Sequence, residues 1–108
     1  MSSGSPVVFE RVQQRLRKHV AKAWPICKSV SFRVRGSFLY VDVQGPEDDV
    51  AEPLLRLRYV GNATQWAWAF YSWSRGARGA YEDAFLDDGS PLGTPEECFD
   101  CAASHYAA

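Results

Sequence analysis

Arginines and aromatic rings are interleaved in two stretches of this chain. Arg33, Arg35, Phe38 and Tyr40 form the first set; Arg56, Arg58, Tyr71 and Trp73 form the second. Guanidinium planes and rings do two things well together. They stack on nucleobases at about 1–3 kcal/mol per base while arginine neutralises phosphate. The same residue types anchor protein–protein interfaces. A third outcome needs no partner, because Arg33–Tyr40 and Arg35–Phe38 can be cross-strand cation–π pairs of about 0.5–1 kcal/mol each. Four rings on one open face exceed what such local pairs need, which favours a binding surface.

A second constellation is Cys98-Phe99-Asp100-Cys101 with His105. On a helix, positions 98, 101 and 105 fall on one stripe, so two thiolates and an imidazole can converge on a soft cation such as zinc. Cys27 or His19 would complete four ligands if the helices are neighbours. A lone CxxC is a weak signal, and structural zinc sites normally carry a second close pair. The plainer expectation is two small apolar side chains facing a sheet, so no cofactor or metal is assigned. A thiol–disulfide role fits poorly, since that motif opens a helix after a buried strand and Cys98 lies four residues beyond the helix cap.

The acids Glu82, Asp83, Asp87 and Asp88 beside Gly89-Ser90 are a third group. Paired carboxylates can perform acid–base chemistry. No nucleophile motif accompanies them, and no glycine-rich phosphate loop precedes a helix. An Asp-Asp-Gly-Ser run is ordinarily a turn, because Asp accepts local backbone N–H bonds. The expectation is a domain without intrinsic catalysis.

The elements that must position these residues can be read from periodicity. Ser5 can cap a first helix, Pro6 suits its first turn, and Pro25 stops it. Val8, Val12, Leu16, Val20 and Ala23 recur at helical spacing with Phe9 and Trp24 beside them. Arg11, Arg15, Arg17, Lys18 and Lys22 occupy the other side. Two hairpins follow. The first has strands near 28–35 and 38–44 around Gly36-Ser37, a pair suited to a type II′ turn. Closing there sorts every aliphatic pair to one face and every Arg–aromatic pair to the other, and a one-residue slip destroys the sorting.

The second hairpin spans about 54–60 and 64–73, turning at Gly61-Asn62. Leu55, Leu57 and Tyr59 then share a face with Trp66, Trp68 and Phe70. Arg56 and Arg58 share the other with Ala67, Ala69, Tyr71 and Trp73. Extending the loop to Gly61–Thr64 moves the pairing by two residues and keeps both faces. Gly45–Pro53 reads as a loop, or a loop with one helical turn. Tyr81–Leu86 offers a fifth strand, and Asp87–Pro91 a turn. Thr94-Pro95-Glu96-Glu97 announces a last helix through a capping box, with Phe99, Ala102, Ala103 and Tyr106 as its apolar stripe.

The resulting fold class is α+β: a two-layer sandwich in which N- and C-terminal helices cover one face of an antiparallel meander of four or five strands. Residues 6–108 form one domain behind a flexible 1–5. Charge is blocked along the chain, at +7 over 1–41, −5 over 42–53, +4 over 54–78 and −7 over 79–108. The net charge of −1 is a cancellation and excludes only a uniformly basic coat for nucleic acid. A basic helix beside an acidic helix would offset each other.

Three cysteines without framework spacing, no basic-then-apolar leader and no apolar run of about 18 residues predict a cytoplasmic domain with no membrane partner. The leading expectation is burial of the Arg/aromatic face against a second copy, as a homodimer, or against a partner protein. Asp42, on the face of Tyr40, can answer arginines across a two-fold axis. Nucleic-acid binding through the same residues is the alternative. The order of the second half, three strands then a helix, is similar in outline to small DNA-binding domains of the phage-integrase and AP2 kind, which implies a sheet that reads DNA. Those sheets are basic, whereas Tyr81–Asp88 is acidic.

Overall fold

The computed structural model of this 108-residue chain describes residues 6–61, 64–72, 80–86 and 88–107, with the side chains of all but 6, 80 and 105–107. The elements run α1 (Pro6–Ala23), β1 (Ser29–Arg35), β2 (Phe38–Gln44), β3 (Glu52–Tyr59), β4 (Trp66–Ser72), β5 (Ala80–Asp83), β6 (Leu92–Gly93) and α2 (Pro95–Ala107). The sheet is an antiparallel meander in the order β1-β2-β3-β4-β5, with β6 pairing β4 beside β5. The α+β layout is as anticipated. The expectations for 1–5, and for Ser5 as a cap, lie outside the described residues.

Local sequence explains each register. Gly36 takes φ +60°, which a two-residue turn requires and other residues resist. It sets Arg35 opposite Phe38, Arg33 opposite Tyr40 and Phe32 opposite Val41. The second hairpin adopts the longer loop: Tyr59 faces Trp66, Leu57 faces Trp68 and Leu55 faces Phe70. β3 begins two residues earlier than expected. It includes Pro53, which precedes the first β3–β4 pair, so its missing N–H weakens no ladder there. A bulge between Val41↔Leu55 and Asp42↔Pro53 inserts Leu54, and both Leu54 and Leu55 are buried.

The core lies between one sheet face and both helices. Phe9, Val12, Leu16 and Val20 of α1 and Cys98, Phe99, Ala102 and Ala103 of α2 meet Leu39, Val41, Val43, Leu55, Leu57, Trp66 and Trp68. The buried stripe of α1 thus runs through Phe9; Val8 is half-buried and Ala23 exposed. Phe9 sits edge-on to Tyr59 and tilted against Trp66. The α2 start is a reciprocal box, Glu97 N donating to Thr94 Oγ1 and Thr94 N to Glu97 Oε1. The side chain of Tyr106 lies outside the described residues.

The basic and acidic helices lie side by side, and specific contacts join them. Arg15 donates from Nε and Nη2 to the two carboxylate oxygens of Glu96 at 2.9 and 2.7 Å, a bidentate geometry. Asp100 Oδ1 accepts from Trp24 Nε1 at 2.8 Å and lies 2.6 Å from His19 Nε2. Part of the opposed charge is therefore spent inside the molecule. No described helix is long and apolar enough to cross a membrane.

Candidate interaction face of the sheet

Alternation along the strands sends Arg33, Arg35, Phe38, Tyr40, Arg56, Arg58 and Tyr71 to the face that neither helix covers. The structure brings these residues together. Trp73 lies outside the described residues. Tyr81 is an addition that the sequence reading left out of the site. It pairs with Tyr71 across β4 and β5, with ring centroids 4.9 Å apart and edge to face. Tyr40 reaches the same ring from β2, at 5.5 Å.

That reach has a simple cause. Between Tyr40 and β5 the row reads Arg56 then Ala69, and a methyl group leaves room for long rings from both sides to close above it. Ala69 is only 2% exposed although it points away from the helices. A small second layer of rings has formed on the open face.

Guanidiniums sit in this layer. Arg56 lies 4.7 Å from the Phe38 centroid and 5.1 Å from that of Tyr81. Arg33 lies 5.2 Å from Tyr40, the cross-strand pair foreseen. The other foreseen pair, Arg35–Phe38, is replaced by Arg56–Phe38: a neighbouring-strand arginine takes the ring, and Arg35 stays exposed. Asp42 turns to Arg33 of its own chain at 3.6 Å, and its Oδ1 is buried without a hydrogen bond. The Tyr81 phenol is pushed up to about 12, first by burial, then by Asp42, with Arg33 opposing. It therefore stays neutral and keeps its O–H donor at any ordinary pH.

Beside the ring layer a groove of about 390 Å³ opens along β4. Ala67 and Ala69 are part of its lining, as are Phe38 and Arg58 from the β2–β3 side and Phe85 and Pro91 from the other. Phe85 is 62% exposed, a large ring left in solvent. Among the described residues, four arginines (33, 35, 56, 58) share the open face with two acids, Asp42 and Asp83, so the face is positive with one negative margin.

The remaining candidates separate. Cys98 is buried in the core, and its thiol is pushed up to about 12 by burial, with Glu97 and Cys101 adding to the shift. This favours the protonated form, opposite to the thiolate a metal needs. Cys101 is half-buried, the side chain of His105 lies outside the described residues, and Cys27 is likewise raised by burial. Among the described residues no three His, Cys, Asp or Glu gather in a metal-binding group. Glu82 and Asp83 point to opposite faces of β5, and Asp88 Oδ1 accepts from Ser90 N at 2.9 Å as in an ordinary turn. Asp87 is outside the described residues.

Tyr81 was reachable from alternation only if β5 had a known register, and no hairpin of readable length joins it to β4. β6 was missed because two residues carry no period. Gly93 holds it close: a Cβ there would meet Leu86 Cδ1 at 2.8 Å and Cys98 Sγ at 3.3 Å. No family model, no curated protein and no solved structure matches this chain.

Proposed function

We propose that this chain is a non-catalytic binding domain that buries the Arg/aromatic face of its sheet against protein, with a second copy of itself as the leading occupant. One observation supports the reading above others. Both helices lie on one side, and the other side holds Phe38, Tyr40, Tyr71 and Tyr81 half-buried among four arginines. Rings and arginines in that arrangement are what protein interfaces use as anchors.

One register of self-pairing offsets part of the positive charge of this face. A two-fold axis parallel to the strands lays β1 of one copy over β5 of the other, setting exposed Arg35 and Arg33 near exposed Asp83 in both halves. Nucleobase stacking needs open ring faces, and here Arg33 and Arg56 already lie over Tyr40, Phe38 and Tyr81. This ranks nucleic acid second.

Light scattering at high micromolar concentration tests the proposal. A dimer that Asp83→Arg converts to monomer is the expected result. A monomer throughout, unchanged by Asp83→Arg, removes self-association. A species retarded by oligonucleotide at low salt would transfer the face to nucleic acid.

A further inference from the structure

The sheet ends on β1, and among the described residues no strand pairs with its outer edge. β1 is seven residues long, without proline. The two-residue turn at Gly36-Ser37 makes Arg35–Phe38 the hydrogen-bonded closing pair. Arg35, Arg33 and Ser31 therefore spend their backbone groups on β2. Val30, Phe32 and Val34 direct theirs outward, a row of donors and acceptors ready for another strand.

The side chains on this edge specify what such a strand carries. On the helix side Val30 and Phe32 are half-buried and Val34 is 49% exposed, so the helical layer ends before the strand does. Apolar side chains beside these residues would complete it. On the other side stand Arg33 and Arg35, and β1 contains no acid. Arg17 of α1 reaches the same margin, 4.9 Å over the Phe32 ring. Among the described residues, Asp42 lies close to this set, 3.6 Å from Arg33. A second copy of β1 would bring a second set of the same cations and repel.

We propose that β1 accepts an added strand from a partner protein, supplied by an extended segment in which acidic and apolar residues alternate. Main-chain hydrogen bonds to Val30, Phe32 and Val34 provide the attachment, and alternate side chains provide the selection. Acids of the segment lie on the face of Arg33 and Arg35; its apolar residues lie on the face of Phe32 and Val34. This edge shares Arg33 and Arg35 with the open sheet face, but its attachment uses outward backbone groups of β1 that the face does not, so either proposal can hold without the other.

Amide hydrogen exchange on the full chain tests the proposal, with the blocked heptapeptide acetyl-EVEVEVE-amide as probe and acetyl-KVKVKVK-amide as control. Exchange at Val30, Phe32 and Val34 is expected to slow at least about tenfold with the glutamate peptide. It should not slow at β5 or with the lysine peptide. Unchanged exchange at the three residues, or equal slowing with both peptides, overturns it. Val34→Pro removes an outward N–H that β2 does not use, a substitution edge strands tolerate, and should abolish the protection. Should that variant not fold, the pair Arg33→Ser and Arg35→Ser is read instead. Loss of discrimination between the peptides supports the proposal, and retained discrimination overturns it.

Discussion

The two faces of this sheet come from the same strands, residue by residue in alternation, yet they end in different physical states. On the helix side, Leu39, Val41, Leu55, Leu57 and Trp66 are fully buried. On the open side, Phe38, Tyr40, Tyr71 and Tyr81 stop at half burial although they touch one another and two guanidiniums. The difference lies in what covers each face. Two helices remove a whole layer from water, whereas rings leaning over Ala69 remove only what they can reach. The first face holds the fold together, and the second is the face proposed to bind.

Large-to-small substitutions separate the two most sharply. Phe99→Ala or Trp66→Ala should cost about 3–5 kcal/mol in urea denaturation, because each empties a site with no water-facing side. Tyr71→Ser should cost under about 1.5 kcal/mol, the scale of an aromatic pair outside a closed core. Equal losses on both faces would mean that the ring layer is core and no binding surface.

Arg56→Ala probes the open face from inside. It removes the cation stacked on Phe38 and Tyr81 together, at about 0.5–1 kcal/mol each. The expected stability loss is about 1–2 kcal/mol, with a larger proportional loss of self-association in light scattering. A variant as stable as the parent would show the stack to be idle.

Why one face was more legible than the other follows from these residues. The aliphatic and tryptophan face could be read because two hairpins, each closed by a glycine turn, carry strict alternation in both strands, and a slip mixes Leu57 with Arg58. The Thr94–Glu97 box was readable because its two hydrogen bonds are local. The open face was legible only as a set of residues facing one way. Its actual contacts depend on diagonal reach across β3 and β4: Arg56 took the ring assigned to Arg35, and Tyr81 arrived from a strand whose register no short turn specifies. Leu54 was hidden for a related reason, since a bulge breaks the period that alternation relies on.

The helix layer has a polar seam of its own, and it should matter less than its core. Glu96→Gln breaks the bidentate pair with Arg15, whose side chains are 40% and 27% exposed. The expected loss is about 0.5–1 kcal/mol, fading as salt is raised. A loss that salt does not alter would place this pair in the dry part of the layer.

The finest test titrates the ring layer of the open face. Tyr81 has its phenol raised from 10.0 to about 12, so the folded chain favours the protonated form more than the unfolded chain does. The resulting stabilisation is fully present below pH 10, where both states are neutral. It drains away between pH 10 and about 12 as the unfolded chain ionises first, and is gone above. Tyrosinate absorbance against pH should therefore show a late-titrating component from Tyr81. Burial is the larger cause and Asp42 the second, so Asp42→Asn should bring that titration down only part of the way. Removing Arg33, which opposes the shift, should move it up. If Asp42→Asn returns the phenol to its ordinary value, charge and not burial holds the proton, and the ring layer over Ala69 is more open to water than its geometry implies.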